Sequence, residues 1–173
     1  MRLFIAVNFN DKIKDALTGM QDNMRWMGVS GNFTKPENMH LTLAFVGDYP
    51  DPEHVLETMD KVSFTPFTIS LSGVGAFRNL WWAGLSESEP LRKVVKSLRH
   101  YLSDEGIPYD RKKFSPHITI VRKPVSSFSH PTDVIRTVPD AEMRVGHISL
   151  MRSERGKHGM IYTELGCVEA HGR

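Results

Sequence analysis

The chain has 173 residues, 40% of them apolar and 24% charged, with a formal net charge of +2. That length suits one packed domain, no tract is polar enough for disorder, and the near-neutral total excludes a molecule-wide attraction to nucleic acid. A single cysteine excludes an internal disulfide and argues against a thiolate metal site, as expected of a protein in the reducing cytoplasm.

The N-terminal stretch lacks a signal-peptide core, and no apolar run reaches the roughly 20 residues that cross a bilayer. Residues 2–7, RLFIAV, read as a strand. Asn10 then caps a helix whose apolar residues Ile13, Leu17, Met20, Met24 and Met27 recur at three- and four-residue steps up to Gly28. After a loop holding Pro36, HLTLAFVG reads as a second strand, and Asp51 with Pro52 opens a second helix carrying Val55, Met59 and Val62. FTISLSGV and LWWAGL alternate as strands joined by a turn. A third helix runs from a Ser88 cap through Leu91, Val94, Val95, Leu98 and Leu102 to a stop at Gly106. HITIVRK is the next strand, residues 124–140 read as a Pro- and Ser-rich loop, and VGHISLMRS and MIYTELGCV close the chain as strands joined by the polar loop ERGKHG. Helices interleaved with hairpin-connected strands predict an α+β protein with antiparallel or mixed sheets.

The arrangement His-apolar-Thr-apolar occurs twice, at 40–43 and at 117–120. Strand alternation puts His40 and Thr42 on one face and Leu41, Leu43 and Phe45 on the other, and it treats His117 and Thr119 in the same way. One such histidine is an ordinary half-buried residue of a sheet. Two, facing each other across a groove, supply an acid and a base near neutrality, with hydroxyls beside them to hold anionic oxygens. That set suits in-line displacement at phosphorus. No metal site is expected, because neither motif has the His-Glu-x-x-His spacing, a carboxylate or a cysteine.

With RLFIAV, KPENMHLTLAFVG, LWWAGL, FSPHITIVRK, ISLMRSE and YTEL in this order, the chain resembles the two-histidine phosphoesterases. Within them it is most similar to the RNA 2′,3′-cyclic phosphodiesterases, also called 2′-5′ RNA ligases. The resemblance implies a single two-lobed domain over 1–173, with pseudo-twofold symmetry, sheets lining a central cleft and helices outside. It implies hydrolysis of RNA 2′,3′-cyclic phosphate ends to 2′-phosphates without metal, ATP or other cofactor. His40 and His117 would be the catalytic pair, and Thr42, Thr119 and Arg122 would bind the phosphate. His40 is assigned to protonate the departing 3′ oxygen and His117 to activate water, although the near symmetry permits the reverse. RNA ends, tRNA fragments among them, would be the partner, with no membrane and no obligate protein partner, and ligation would be the reverse reaction. Two alternatives stay open: hydrolysis of another cyclic phosphate, such as a small cyclic nucleotide or an ADP-ribose cyclic phosphate, and a non-catalytic module that binds RNA ends.

Other residues carry less. Taken by spacing, Arg122 is as well explained as a surface arginine. Trp81 and Trp82 fall on opposite faces of one strand, so at least one belongs to the core. The loop with Arg155, Lys157 and His158 is placed to reach over a cleft mouth, His147 is a candidate for the groove face, and Cys167 is expected to be buried and inert.

Overall fold

The computed structural model describes residues 1–172. Among these, nine strands form two sheets in which every pairing is antiparallel. The first sheet has the order β3-β1-β8-β9 and is built from β1 (Arg2–Asn8), β3 (His40–Asp48), β8 (His147–Gly156) and β9 (Gly159–Glu169). The second has the order β2-β6-β5-β4-β7 and is built from β2 (Ser30–Phe33), β4 (Phe67–Phe77), β5 (Leu80–Leu85), β6 (Ile118–Val125) and β7 (Glu142–Val145).

The helices begin where the caps predict. Asn10 Oδ1 accepts from the Ile13 N–H at 3.0 Å to start α1 (Asp11–Trp26), and Asp51 Oδ1 accepts from His54 N–H at 3.1 Å to start α2 (Pro52–Met59). Ser88 Oγ does the same for Leu91 N–H at 3.3 Å at the head of α3 (Glu89–Asp104). Helix α1 lies against β2, β6 and β7 of the second sheet, whereas α3 lies against β3 of the first and α2 against α3 and β9. One contiguous apolar cluster joins both sheets and these helices, with Leu3, Ile5, Leu41 and Leu43 from one side and Ile69, Ile118 and Val121 from the other. Burying such side chains stabilises the fold by about 1.5–3 kcal/mol each.

Beneath this lies a repeated unit. In the first sheet Ala6 faces Thr42 and Phe4 faces Phe45; in the second Trp82 faces Thr119 and Leu80 faces Arg122. Strand, helix and motif strand therefore recur as β1-α1-β3 and as β5-α3-β6, which gives the two lobes their pseudo-twofold relation. The short strand β2 and the segment before β6 are also counterparts. Asn32 pairs with Arg122 on β6, and Asp110 N–H donates to Phe45 C=O on β3 at 2.8 Å. The run-in to each motif strand thus lies along the motif strand of the other lobe.

Several local expectations change. The tetrapeptide of β2 has no apolar alternation and is a strand only because β6 offers it an edge. The polar segment ERGKHG is strand on both sides of a two-residue turn, since Arg155 pairs with Met160 and Gly156 with Gly159. Residues 142–145 form their own strand, β7, on the second sheet, and the chain changes sheet at Gly146. Met27 caps the end of α1 and is exposed, because its side chain falls beyond the helix's buried face. Cys167 is exposed, not buried: it lies on the edge strand β9, and desolvation together with Glu164 and Glu169 pushes its thiol up.

Trp81 belongs to the core, while Trp82 lies on the opposite face with its ring over Gly75, its direct partner on β4. A Cβ at Gly75 would meet that ring at 2.2 Å, so this glycine is required by close approach. Replacing it by alanine must displace Trp82. We expect Gly75→Ala to lower stability by about 1–3 kcal/mol, read as a shift in the urea midpoint; an unchanged midpoint would mean that the ring moves aside freely.

Candidate active site

The two sheets face each other across a cleft of about 430 Å³ that holds His40, Thr42, His117, Thr119 and Arg122 together. All five residues singled out from the sequence thus share one cavity. A larger depression of about 540 Å³ beside α3, between Phe64 and Lys93, contains neither motif.

Both imidazoles are held by the same local device. His40 Nδ1–H donates to the Asn38 carbonyl at 2.7 Å, and His117 Nδ1–H donates to the Ser115 carbonyl at 2.8 Å, two residues back in each case. A carbonyl only accepts, so the proton sits on Nδ1 and each Nε2 is left for the cleft. His40 Nε2 lies 3.0 Å from Thr42 Oγ1, whose hydroxyl donates to it when the ring is neutral.

Plain alternation does not explain the rest of the cleft wall. On β3 the register slips between Ile5/Ala44 and Ala6/Thr42, leaving Leu43 as an extra residue, and both Leu43 and Ala44 point into the core. On β6 it slips between Trp81/Val121 and Trp82/Thr119, leaving Ile120 extra, and both Ile120 and Val121 are buried. Each is a β-bulge placed directly after the motif threonine. Beyond the bulge the cleft face is taken by Phe45 in one lobe and by Arg122 in the other. Phe45 therefore does not share the core face of Leu41 and Leu43 as alternation predicts: it packs with Phe4, Ala6, Met151 and Tyr162 on the cleft side. The same slip lets Arg122, an odd number of residues after Thr119, reach the cleft.

The two histidines have different surroundings. His40 packs against Phe4 at 4.8 Å and edge-on to Tyr162 at 5.2 Å between ring centroids. Burial holds its pKa below the ordinary histidine value; the hydrogen bond to Asn38 opposes this, and the positive charges of Arg122 and His117 reinforce it. His117 instead has Phe77 beside it at 4.8 Å, and Phe77 in turn packs on Trp82 at 5.5 Å.

Two more arginines complete the wall: Arg2, not singled out from the sequence, and Arg155, placed from the sequence at the cleft mouth. Arg2 and Arg155 join Arg122 in the cleft, Arg2 also lies over the Phe45 ring at 5.0 Å, and among the described residues no carboxylate lines the cavity. A near-neutral chain thus concentrates positive charge at one place, where an anion gains most from it. Arg155 enters from β8 itself and not from a loop, and the β8-β9 hairpin is tied down: Lys35 Nζ donates to His158 C=O at 2.7 Å and Asn38 Nδ2 to Met160 C=O at 2.9 Å. The alternation of Arg2 with the buried Leu3 was the one sequence signal for a cleft-facing arginine at the start of β1. His147 pairs with Glu169 at the far end of β8 and stays outside the cleft. Among the described residues no three of His, Cys, Asp and Glu come together as metal ligands. Among them, too, no helix is long and apolar enough to cross a membrane.

The sequence profile of the 2′-5′ RNA ligase superfamily matches residues 32–157, a span that contains both motifs and both bulges. An RNA 2′,3′-cyclic phosphodiesterase of Archaeoglobus fulgidus is 32% identical over 98% of this chain and 100% of its own length. One from Methanothermobacter thermautotrophicus is 28% identical over 95% of this chain and 96% of its own. Among solved structures, TT0787 of Thermus thermophilus superimposes with a TM-score of 0.82 at 28% identity, covering 98% of this chain and 97% of that one. E. coli LigT complexed with 3′-AMP shares the fold, with a TM-score of 0.83 at 21% identity over 99% of this chain and 98% of its own. On this sequence match and this architecture, the chain belongs to the 2′-5′ RNA ligase superfamily.

Proposed function

We propose that this chain is an RNA 2′,3′-cyclic phosphodiesterase that opens the cyclic phosphate to a 2′-phosphate and a free 3′-hydroxyl. The observation that carries the reading is the opposed pair of imidazoles, each anchored through Nδ1, in a cleft whose described residues include the two motif threonines, three arginines and no carboxylate. The names of the relatives from Archaeoglobus and Methanothermobacter support the same activity.

In this mechanism one histidine takes the proton of an attacking water while the other gives a proton to the departing 3′ oxygen, and the P–O3′ bond breaks as the new P–O bond forms. Thr42, Thr119 and Arg122 hold the non-bridging oxygens, where negative charge builds. The buried, neutral state of His40 favours it as the base in the free enzyme, with His117 as the acid, the reverse of the assignment made from the motifs. Run backwards, with a 5′-hydroxyl in place of water, the same groups would carry out 2′-5′ ligation. Two imidazoles on opposite walls suit proton transfer better than metal binding, so turnover should persist in EDTA and without ATP.

Removing either histidine (His40→Ala or His117→Ala) should lower kcat by about 10²–10⁴ while leaving the fold intact, measured on a short RNA ending in a 2′,3′-cyclic phosphate. Folded variants with near-wild-type turnover would remove the histidine pair from the mechanism; a folded wild type that binds this RNA but never turns it over would leave an RNA-end-binding module. Arg122→Ala should cost about 10²-fold in kcat/KM, with Arg122→Lys recovering only part because the two-pronged geometry is lost. If His40 is the base, the acid limb of kcat/KM should have its midpoint below the ordinary histidine value of about 6.5, since activity is lost only when this depressed group protonates. An alkaline limb there instead would make His40 the acid. The same depression means that His40 disfavours the folded state as pH falls below about 6.5, where the unfolded chain takes up the proton first.

A further inference from the structure

The bulges need something to hold them, and two helix side chains reach them in matching ways. From α1, Gln21 Nε2 donates to the carbonyl of Ile120, the extra residue on β6, at 3.1 Å and to the carbonyl of Thr34 at 2.8 Å. From α3, Arg99 donates through Nη2 to the carbonyl of Leu43, the extra residue on β3, at 3.2 Å, and through Nη1 to the carbonyl of Lys112 at 2.7 Å. Thr34 precedes His40 and Lys112 precedes His117, so each side chain ties the bulge of one lobe to the run-in of the other lobe's motif strand.

We propose that Gln21 and Arg99 are paired positioning residues that brace the two motif strands against each other across the cleft floor and so set the separation of His40 and His117. This rests on the phosphodiesterase reading above. Three observations bear on it. Gln21 is 2% exposed, on the face of α1 that otherwise carries Ile13, Leu17, Met20 and Met24, where an apolar side chain would satisfy packing and a buried amide costs free energy unless bonded. Arg99 has its guanidinium near the rings of Tyr109 and Phe114, at 5.6 and 5.7 Å, which holds the fork in place and fastens it to the run-in of β6. The two braces follow the pseudo-twofold relation although their residue types differ: amide and guanidinium share only the ability to donate to two carbonyls at once. The Ile120 carbonyl also accepts from Thr34 N–H at 2.9 Å, so Gln21 clamps a backbone contact between bulge and run-in from the side of the helix. Transfer between two opposed imidazoles is sensitive to their spacing, and a misplacement of about 1 Å can cost about 10²-fold in rate.

The test uses Gln21→Met and Arg99→Met, which keep the length of the stem and remove the donors, with Arg99→Lys as the conservative variant. Each is assayed on RNA ending in a 2′,3′-cyclic phosphate, well below its own melting temperature. We expect kcat to fall about 10- to 100-fold with KM within about threefold, the signature of lost alignment and not of lost binding, and Arg99→Lys to recover part of kcat. Folded variants whose Tm falls but whose kcat stays within about twofold of wild type would overturn the proposal and leave the two residues a purely structural role. Crystal structures give an independent reading: the affected bulge, Leu43–Ala44 or Ile120–Val121, should relax and the distance between the imidazoles should change. An unchanged bulge and distance overturn the proposal whatever the activity. Absence of turnover by wild type would instead sink the phosphodiesterase reading, and the crystal structures would still decide for or against the braces.

Discussion

The extra residue after each motif threonine is the constraint on which the cleft depends. A strand that alternates strictly can present every second side chain to one face, and His-x-Thr uses two such positions. Continued without interruption, it would place Ala44 and Val121 on the cleft side and bury Phe45 and Arg122. By inserting Leu43 and Ile120, the strands give two consecutive residues to the core and return the next one to the cleft. The core gains apolar contacts, and the cleft gains an aromatic wall on one side and a guanidinium on the other.

That last difference shows how a repeated unit comes to hold unlike groups. The pairs Phe45 and Arg122, Ala6 and Trp82, and Phe4 and Leu80 occupy corresponding register positions in the two lobes. Small and aromatic residues around His40 let the rings of Phe4 and Tyr162 close on it and desolvate it. In the other lobe the bulky Trp82 fills the space over Gly75 and carries Phe77 to the flank of His117. One backbone plan, dressed differently, gives the two imidazoles unlike surroundings, and in the first lobe burial lowers the proton affinity of His40.

The lobes are interlocked and do not simply abut. Each sends the segment before its motif strand to the other's edge, Asn32 to Arg122 and Asp110 to Phe45, and the helices pack so that α1 serves the second sheet and α3 the first. Edge strands otherwise left open are covered in this way, with β3 receiving the Asp110 segment and β6 receiving β2. A rigid floor follows from shared backbone hydrogen bonds and a common core, so the cleft walls are held by both halves of the chain.

Much of this was legible before any coordinates. Caps at Asn10, Asp51 and Ser88, apolar spacing along three helices, and the two His-x-Thr strands are local signals, each decided by neighbours a few residues away. They determined the element order, the α+β class and the residues that gather in the cleft. Tertiary structure alone decided the strand β2, the change of sheet at Gly146, the side on which Phe45 lies, the exposure of Cys167, the entry of Arg2, and that Arg155 reaches the cleft from a strand. Each of these depends on which distant strand offers an edge and where the register slips. A register slip costs nothing in the local pattern of LTLAF, where the residues after Thr42 are all apolar, so only a partner strand fixes which one is extra; in ITIVR the single local mark of the slip is Arg122, which strict alternation would bury.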